Sequence, residues 1–340
     1  MLALRAPYPS FYHLPQWIRA VHENLAGPIR VCVFREGGEV IGAMPVETVA
    51  RNGIHPPEVR LPHHTEIFLG DLLIDQDFLE RDWAHNCHRV LQHFSGVRAT
   101  VLRFHNVPQQ SAAFAALNKH PRALTTAKGQ RAFCATLDPR SLTNLSTKFL
   151  RNTSRLKRRC ETERGKIEHH SYQSEAAAEK GYKLFLDIED SGWKGAKGVG
   201  TSIRLDPPRY QFYMRVLKDF GDLCSARVDV LRVDGQPAAA LIAVRSGRAW
   251  HLLKVAHNED FGRYGPGNIL LKDFLEACCE DPETDEVSLV TAPPWSDRWH
   301  MRREPTYDIA LCSTSFWGRV HSGLIRARKT IRRVREAGSG

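Results

Sequence analysis

The chain has no run of about 18 apolar residues, the length a helix needs to cross a bilayer. It has no C-x-x-C pair: its eight cysteines fall at 32, 87, 134, 160, 224, 278, 279 and 312, and only 278 and 279 are neighbours. Scattered thiols exclude a zinc ribbon and a disulfide framework, and they lead us to expect a reduced, cytoplasmic protein. There is no H-E-x-x-H. The pairs His63/His64 and His85/His88 lack a third ligand, so no metal is expected. There is no G-x-S-x-G for a serine hydrolase and no Gly-Lys-Ser/Thr for a P-loop. The opening MLALRAPYPS lacks the apolar stretch of a secretory leader, and none is expected. Low complexity is also missing. With 42% apolar, 25% charged and 9% aromatic residues, the composition excludes collagenous and disordered classes. The 340 residues fit about two globular domains.

Positive charge is what the chain has in excess. Lysine and arginine total 48 against 38 acidic residues, a net charge of +10. Two segments account for it. Residues 148–159 carry Lys148, Arg151, Arg155, Lys157, Arg158 and Arg159. Residues 319–335 carry Arg319, Arg326, Arg328, Lys329, Arg332, Arg333 and Arg335. Neither segment contains an acid, and the remainder of the chain sums to −3. Both read as helices. Leu142, Leu145, Phe149, Leu156 and Cys160 recur at near-helical spacing, with Ser141 as cap and Gly165 past the end. Trp317, Val320, Leu324, Ala327, Ile331 and Val334 form one apolar stripe among arginines. Such helices serve as solvated faces, as phosphate or RNA contacts, or as elements resting on an anionic membrane surface. The basic runs lack interleaved aromatics for base stacking, which weakens the RNA reading.

The periodicity predicts α/β organisation. A helix capped by Ser10 precedes strands at 30–35 and 40–50; further strands fall at 58–61, 67–74 and 99–104, with a helix over 78–94. A connection at 121–130 separates two domains, 1–126 and 127–340. In the second, Ser174 caps a helix that stops at Gly192, and Asp206-Pro207 opens another. Strands at 227–233, 236–245 and 248–257 make an antiparallel meander, with Asp234-Gly235 as its first turn. A helix over 269–279 and strands at 286–290 and 306–313 follow. The segment 30–43 aligns without gaps to 227–240, and each copy is a hairpin preceded by a helix. That order supports a duplicated α/β unit.

Four constellations carry candidate chemistry. Arg263-Tyr264-Gly265-Pro266-Gly267-Asn268 lies between a strand and a helix. Its glycines allow close backbone approach, and exposed N–H groups at a helix start bind anions. Arg263 adds a cationic fork. The second constellation places Glu189, Trp193 and Lys194 at a helix end, suited to hold an amine or accept its proton. In the third, alternation along 250–257 puts Trp250, Leu252 and Lys254 on one face, with His251 on the other as a core residue. The fourth, Trp295-Ser-Asp-Arg-Trp299, offers two indoles as pocket walls.

Taken together, these residues resemble the GNAT superfamily. The region 131–299 is similar to the acetyltransferase domain associated with bacterial cellulose biosynthesis, itself related to the Fem-type aminoacyltransferases. The resemblance rests on the basic 148–159 helix, Glu189 to Lys194 with Gly200-Thr201, Val233 to Gly235, Lys254, Arg263-Tyr264, Pro266-Gly267-Asn268 and Leu270. It implies two tandem GNAT-like units with mixed, largely antiparallel sheets, the first degenerate and the second catalytic. It implies an N-acyltransferase that uses acyl-CoA as co-substrate, with lipid amines such as sphingoid bases among the acceptors of related domains. Glu189, Lys194 and Lys254 are then the catalytic candidates, residues 263–268 hold the cofactor phosphates, and Trp193, Trp250, Trp295 and Trp299 face substrate. The loop has one residue fewer between Arg263 and Gly265 than the family's usual pattern. A Fem-like transferase using aminoacyl-tRNA is the alternative, followed by a non-catalytic basic binder of RNA or membrane.

Overall fold

The computed structural model describes residues 11–25, 27–49, 58–64, 66–94, 99–135, 145–196, 198–221 and 225–337. In chain order these form α1 (Pro15–Asn24), β1 (Arg30–Glu36), β2 (Glu39–Val49), β3 (Glu58–Arg60), β4 (Leu73–Ile74), α2 (Trp83–His93), β5 (Val101–Pro108), α3 (Ala112–Leu117) and β6 (Ala123–Ala135). There follow α4 (Thr147–Arg164), β7 (Ile167–Tyr172), α5 (Glu175–Ser191), α6 (Pro207–Gly221), β8 (Ala226–Val233), β9 (Gln236–Ser246) and β10 (Ala249–His257). The last elements are α7 (Pro266–Glu280), β11 (Glu286–Ser288), β12 (Arg302–Cys312) and α8 (Phe316–Ala337). None of the described helices is long and apolar enough to cross a membrane.

The chain segregates into two compact units. Unit 1 comprises Met1–Leu14, Ala26–Gln130 and Glu304–Gly340; unit 2 comprises Pro15–Leu25 and Arg131–Arg303. The partition is therefore interleaved rather than consecutive at 126/127. Most of β12 and all of α8, placed in the second domain by the sequence, pack within unit 1. Residues 306–312 pair antiparallel with β5 and bury Ile309 and Leu311 in its core. Conversely α1 packs in unit 2, where Trp17 meets the Phe212 ring of α6 edge-on at 5.0 Å. Pairing across some 200 residues of chain leaves no local trace in sequence, so periodicity alone does not reveal it.

In unit 1, β1, β2, β3, β5 and β12 run side by side, with β3 and β5 parallel and the other pairs antiparallel. Its core joins this sheet to Trp83, Cys87 and Leu91 of α2 and Ala113 and Leu117 of α3. The short strand at Leu73–Ile74 is all that forms of the one expected over 67–74.

In unit 2 the order is β6, β11, β10, β9, β8, β7, antiparallel throughout except β10 with β11. One face packs on α7, through Leu231, Leu241, Ala243, Trp250 and Leu252 against Leu270, Leu271 and Phe274. The other meets α5, where Gly181 lies against Val228. Helix α4 is capped by Ser146, whose hydroxyl accepts from the Phe149 N–H. The expected cap Ser141 lies outside the described residues, as does Leu142.

The two hairpins of the internal repeat agree in detail. The register slips between Phe34 and Arg35 in one and between the equivalent Leu231 and Arg232 in the other. Both turns use two positive-φ residues, Gly37-Gly38 and Asp234-Gly235. Arg35 donates to Gly38 O at 3.1 Å, and Arg232 donates to Gly235 O at 2.8 Å. Hairpins that resembled each other by chance would share turn type, but not the bulge position and the arginine clasp as well.

His251 of β10 is buried, which pushes its imidazole down to about 3, with the nearby Arg131 charge adding to the effect. A depressed folded-state value means stability that is present above the unfolded value of about 6.5 and lost as pH falls through 6.5 toward 3. Replacing His251 with Gln should remove about 2 kcal/mol of the stability lost between pH 7 and pH 5. Urea denaturation of both proteins at the two pH values measures this difference.

Candidate functional site

The central geometry of unit 2 is a strand that loses its neighbour. Strand β10 pairs with β11 only at Ala249, Trp250 and His251. Past Ser288 the chain turns away, and Val290 adopts φ +64, a conformation disfavoured for a β-branched residue. The β10 edge beyond His251 has no strand partner on that side among the described residues. Opposite β9, the register shifts between Leu252 and Lys254. Such a bulge bends the strand and re-aims the side chains after it.

The bulge corrects the expected placement of Lys254. Leu252 pairs with Ala243 and Val255 pairs with Leu241, both on the α7 face, whereas Lys254 pairs with Ile242. Cross-strand partners share a face. Lys254 therefore leaves the side of Trp250 and Leu252 and reaches α6, with Nζ 5.7 Å from the centroid of the Tyr213 ring.

Beyond β10, Asn258 caps a 3-10 turn over Glu259–Tyr264, and Gly265 adopts a left-handed φ of +62 before α7 begins. Gly265 is the N-cap and supplies no capping side chain; Pro266 follows with no N–H to donate. Asn268 and Ile269 both donate to Gly265 O. The Gly267 amide is the group that helix geometry leaves for an outside acceptor. A Cβ at Gly267 would meet only Val255 Cγ1, at 3.8 Å.

Arg263 and Tyr264 are used differently from expectation. Arg263 pairs with Glu163 of α4 at 2.9 Å and donates to the Tyr264 hydroxyl, which donates to Glu163 at 2.7 Å. Arg159 joins the same carboxylate at 2.7 Å. The hydrogen bonds from Arg159 and Tyr264 hold the Glu163 carboxyl below its usual range. The Tyr264 ring is buried with Cys160, Val233, Ala238 and Phe261. These two residues thus clasp the basic helix to the turn before α7, with Leu156 beside Gly265. Lys157 pairs with Asp273 at 2.9 Å. Lys148, Arg151, Arg155 and Arg158 are exposed and have no carboxylate partner among the described residues.

On the α5 side, Glu189 is 5% exposed. One oxygen accepts from Lys194 Nζ at 3.1 Å and the other from the Ile203 N–H at 2.8 Å. Next to it, Asp190 accepts from the Ser202 hydroxyl at 2.8 Å. The carboxylates at the end of α5 therefore pin both arms of the loop after it. Within the loop, the Thr201 and Ser202 N–H groups donate to Lys194 O at 2.8 Å. Gly195 is required there, since a Cβ would lie 1.8 Å from Asp190 O. The loop presents Trp193, 60% exposed, with Lys194 Nζ 5.7 Å from its ring. Gly192 brings this end of α5 close to His257 O and Glu259, so the α5 loop meets the far end of β10.

The four tryptophans divide. Trp193 and Trp295 are exposed, whereas Trp250 and Trp299 are core residues. Trp299 packs against Phe149 at 5.1 Å and Trp250 against Phe274 at 6.3 Å. Residues that the sequence did not single out are Ile203, Glu163, Tyr213 and Val290. Among the described residues, no group of three or more His, Cys, Asp or Glu is placed to hold a metal ion.

No curated protein matches the sequence. Residues 147–299 match the family model described as an acetyltransferase (GNAT) domain. Among solved structures, FemX is similar over 92% of this chain and 94% of its own, at 8% identity and a TM-score of 0.65. L-PGS from Bacillus licheniformis is similar over 94% of this chain and 96% of its own, at 13% identity and a TM-score of 0.55. The C-terminal domain of a protein from Agrobacterium fabrum, assigned as a lysylphosphatidylglycerol synthetase, is similar over 91% and 90%, at 14% identity and a TM-score of 0.54. At such identities the likeness is one of fold. The chain shares that fold over nearly its whole length, and its residues 147–299 form a GNAT-type acetyltransferase domain.

Proposed function

We propose that unit 2 moves an acyl group from a coenzyme A thioester to an amine. The observation that carries this reading is the unpaired β10 edge running toward the open start of α7. An unpaired strand edge accepts an extended, amide-bearing chain by backbone hydrogen bonds. A helix start with free N–H groups accepts phosphate. The pantetheine arm and pyrophosphate of coenzyme A carry those two features in that order. Within 263–268, the Gly267 amide and Asn268 face the phosphates, while Arg263 and Tyr264 hold the α4 helix beside them.

The amine nitrogen attacks the thioester carbonyl, a C–N bond forms, and the C–S bond breaks. The nitrogen gives up a proton and the departing thiolate takes one up. The thioester is already activated, so positioning is the main task of the protein. Glu189 orients Lys194 and the 193–202 loop, and Lys194 and Lys254 with Trp193 and Trp295 form the acceptor side. Exposed indoles suit an acceptor with an apolar body, such as a long-chain amine. A second reading, aminoacyl transfer from tRNA, is favoured by the likeness to FemX and by the four α4 cations that have no carboxylate partner among the described residues. Loss of product after ribonuclease treatment would select it.

Substitutions at two positions separate binding from architecture. Gly267→Asp places a carboxylate at the proposed phosphate site with room for its Cβ. It should weaken coenzyme A binding at least about tenfold by calorimetry while leaving the melting temperature unchanged. An unaltered affinity removes the phosphate site from α7. Glu189→Ala should cost about 1–3 kcal/mol in urea denaturation by leaving the Ile203 N–H and Lys194 unmatched. Glu189→Gln should recover part of this, since its carbonyl still accepts from Ile203. Equal stabilities would show that the carboxylate does not anchor the loop.

A further inference from the structure

The apolar stripe of the C-terminal helix faces outward. On one side α8 is seated in unit 1, with His321 buried and its Nδ1 3.2 Å from the Thr100 hydroxyl. Ile325 packs on the cluster of Val101, Ala310 and Cys312. On the flank of that buried side Phe316, Val320 and Leu324 follow at four-residue steps, with Trp317 beside them, and all four are exposed, Phe316 to 72%. Four large apolar side chains on one helix face form a contiguous patch that a lone water-facing helix does not explain.

Cations border this patch. A cavity of about 710 Å³ opens at Trp317, lined by Arg89, Arg122, His85, His120 and Ser313 among others. A smaller one of about 340 Å³ shares Arg122 and Ser313 and adds Arg319 and Arg326. The single carboxylate on the larger cavity, Asp82, already accepts from the His85 N–H at the start of α2. Other arginines of unit 1 are paired: Arg60 with Glu47, Arg103 with Glu58 and Arg81 with Glu36. Arg89, Arg122 and Arg319 have no such partner among the described residues. The larger cavity thus belongs to the unit without the proposed transfer site.

We propose that unit 1 docks on an anionic phospholipid surface through α8. The stripe of Phe316, Val320 and Leu324 enters the interfacial layer, and the cleft with Arg89 and Arg122 receives headgroup phosphates. Each part alone is weak; an apolar face together with cations at its edge is the combination that binds lipid surfaces. Charge complementarity favours this occupant over a second copy of the chain, which would bring the same cations face to face. The sequence extends both features, with further apolar residues at Ala327, Ile331 and Val334 and no acid between Arg319 and Arg335.

Vesicle co-sedimentation of the full chain tests the proposal. It needs no thioester or amine, so its outcome is independent of the acyl-transfer reading. At low salt the chain should partition at least about tenfold more strongly to vesicles containing about one-third phosphatidylglycerol than to phosphatidylcholine alone. The double variant Arg89→Glu/Arg122→Glu and the double variant Phe316→Ser/Leu324→Ser should each lose about tenfold, with the parent melting temperature retained. Four outcomes would overturn the proposal. They are equal or absent partition to the two vesicles, full binding by the stripe variant, complete displacement by millimolar inorganic phosphate, and a dimer that the stripe variant abolishes.

Discussion

Strand β10 parts from β11 after three paired residues, and the chemistry proposed for unit 2 depends on that parting. Backbone N–H and C=O groups in a sheet demand partners. A strand edge left without one beside an open helix start is a binding surface made of main chain. The bulge at Leu252 to Lys254 acts on the same strand. It turns Lys254 to the α5 and α6 side while Val255 continues toward α7. One irregularity therefore bends the strand edge on one side and sends a cation toward Tyr213 on the other, the two features that the proposed transfer uses.

The surrounding elements fix this strand from two directions. Glu163 gathers Arg159, Arg263 and the Tyr264 hydroxyl, so the basic helix is tied to the turn before α7. Glu189 gathers Lys194 and the Ile203 N–H, so the loop after α5 is tied at both arms. In each case a single carboxylate collects donors from more than one element or loop arm, and such charge-assisted bonds hold geometry more firmly than neutral ones. Within the core, Arg227 donates twice to the buried Asp229 and stacks 4.4 Å from the Phe274 ring centroid, which joins β8 to α7.

Much of this was legible in the sequence, and the reasons are local. Asp234-Gly235 and Gly37-Gly38 announced turns because positive φ favours glycine and its polar neighbours, and the hairpins they close share even a bulge. Gly265-Pro266 marked the start of α7 for the same kind of reason. What stayed hidden was non-local. Alternation assigned Lys254 to the face of Trp250 because a bulge leaves no signature in a run of apolar residues. Arg263 looked like a phosphate ligand because its acid partner lies 100 residues upstream. Trp250 and Trp299 were expected to face substrate, yet packing against Phe274 and Phe149 puts them in the core. Val290 has a side chain that argues against the conformation it adopts.

The fold shared with FemX and L-PGS leaves the donor as the central question, and a thioester with a phosphate-bearing arm is the donor proposed here. Native mass spectrometry of the protein purified without added ligand addresses that donor directly. A one-to-one adduct with the mass of coenzyme A or an acyl derivative is expected, lost when excess phosphate-bearing competitor is added. Co-purifying aminoacylated RNA, with no coenzyme A adduct even after incubation with the free thioester, would contradict it.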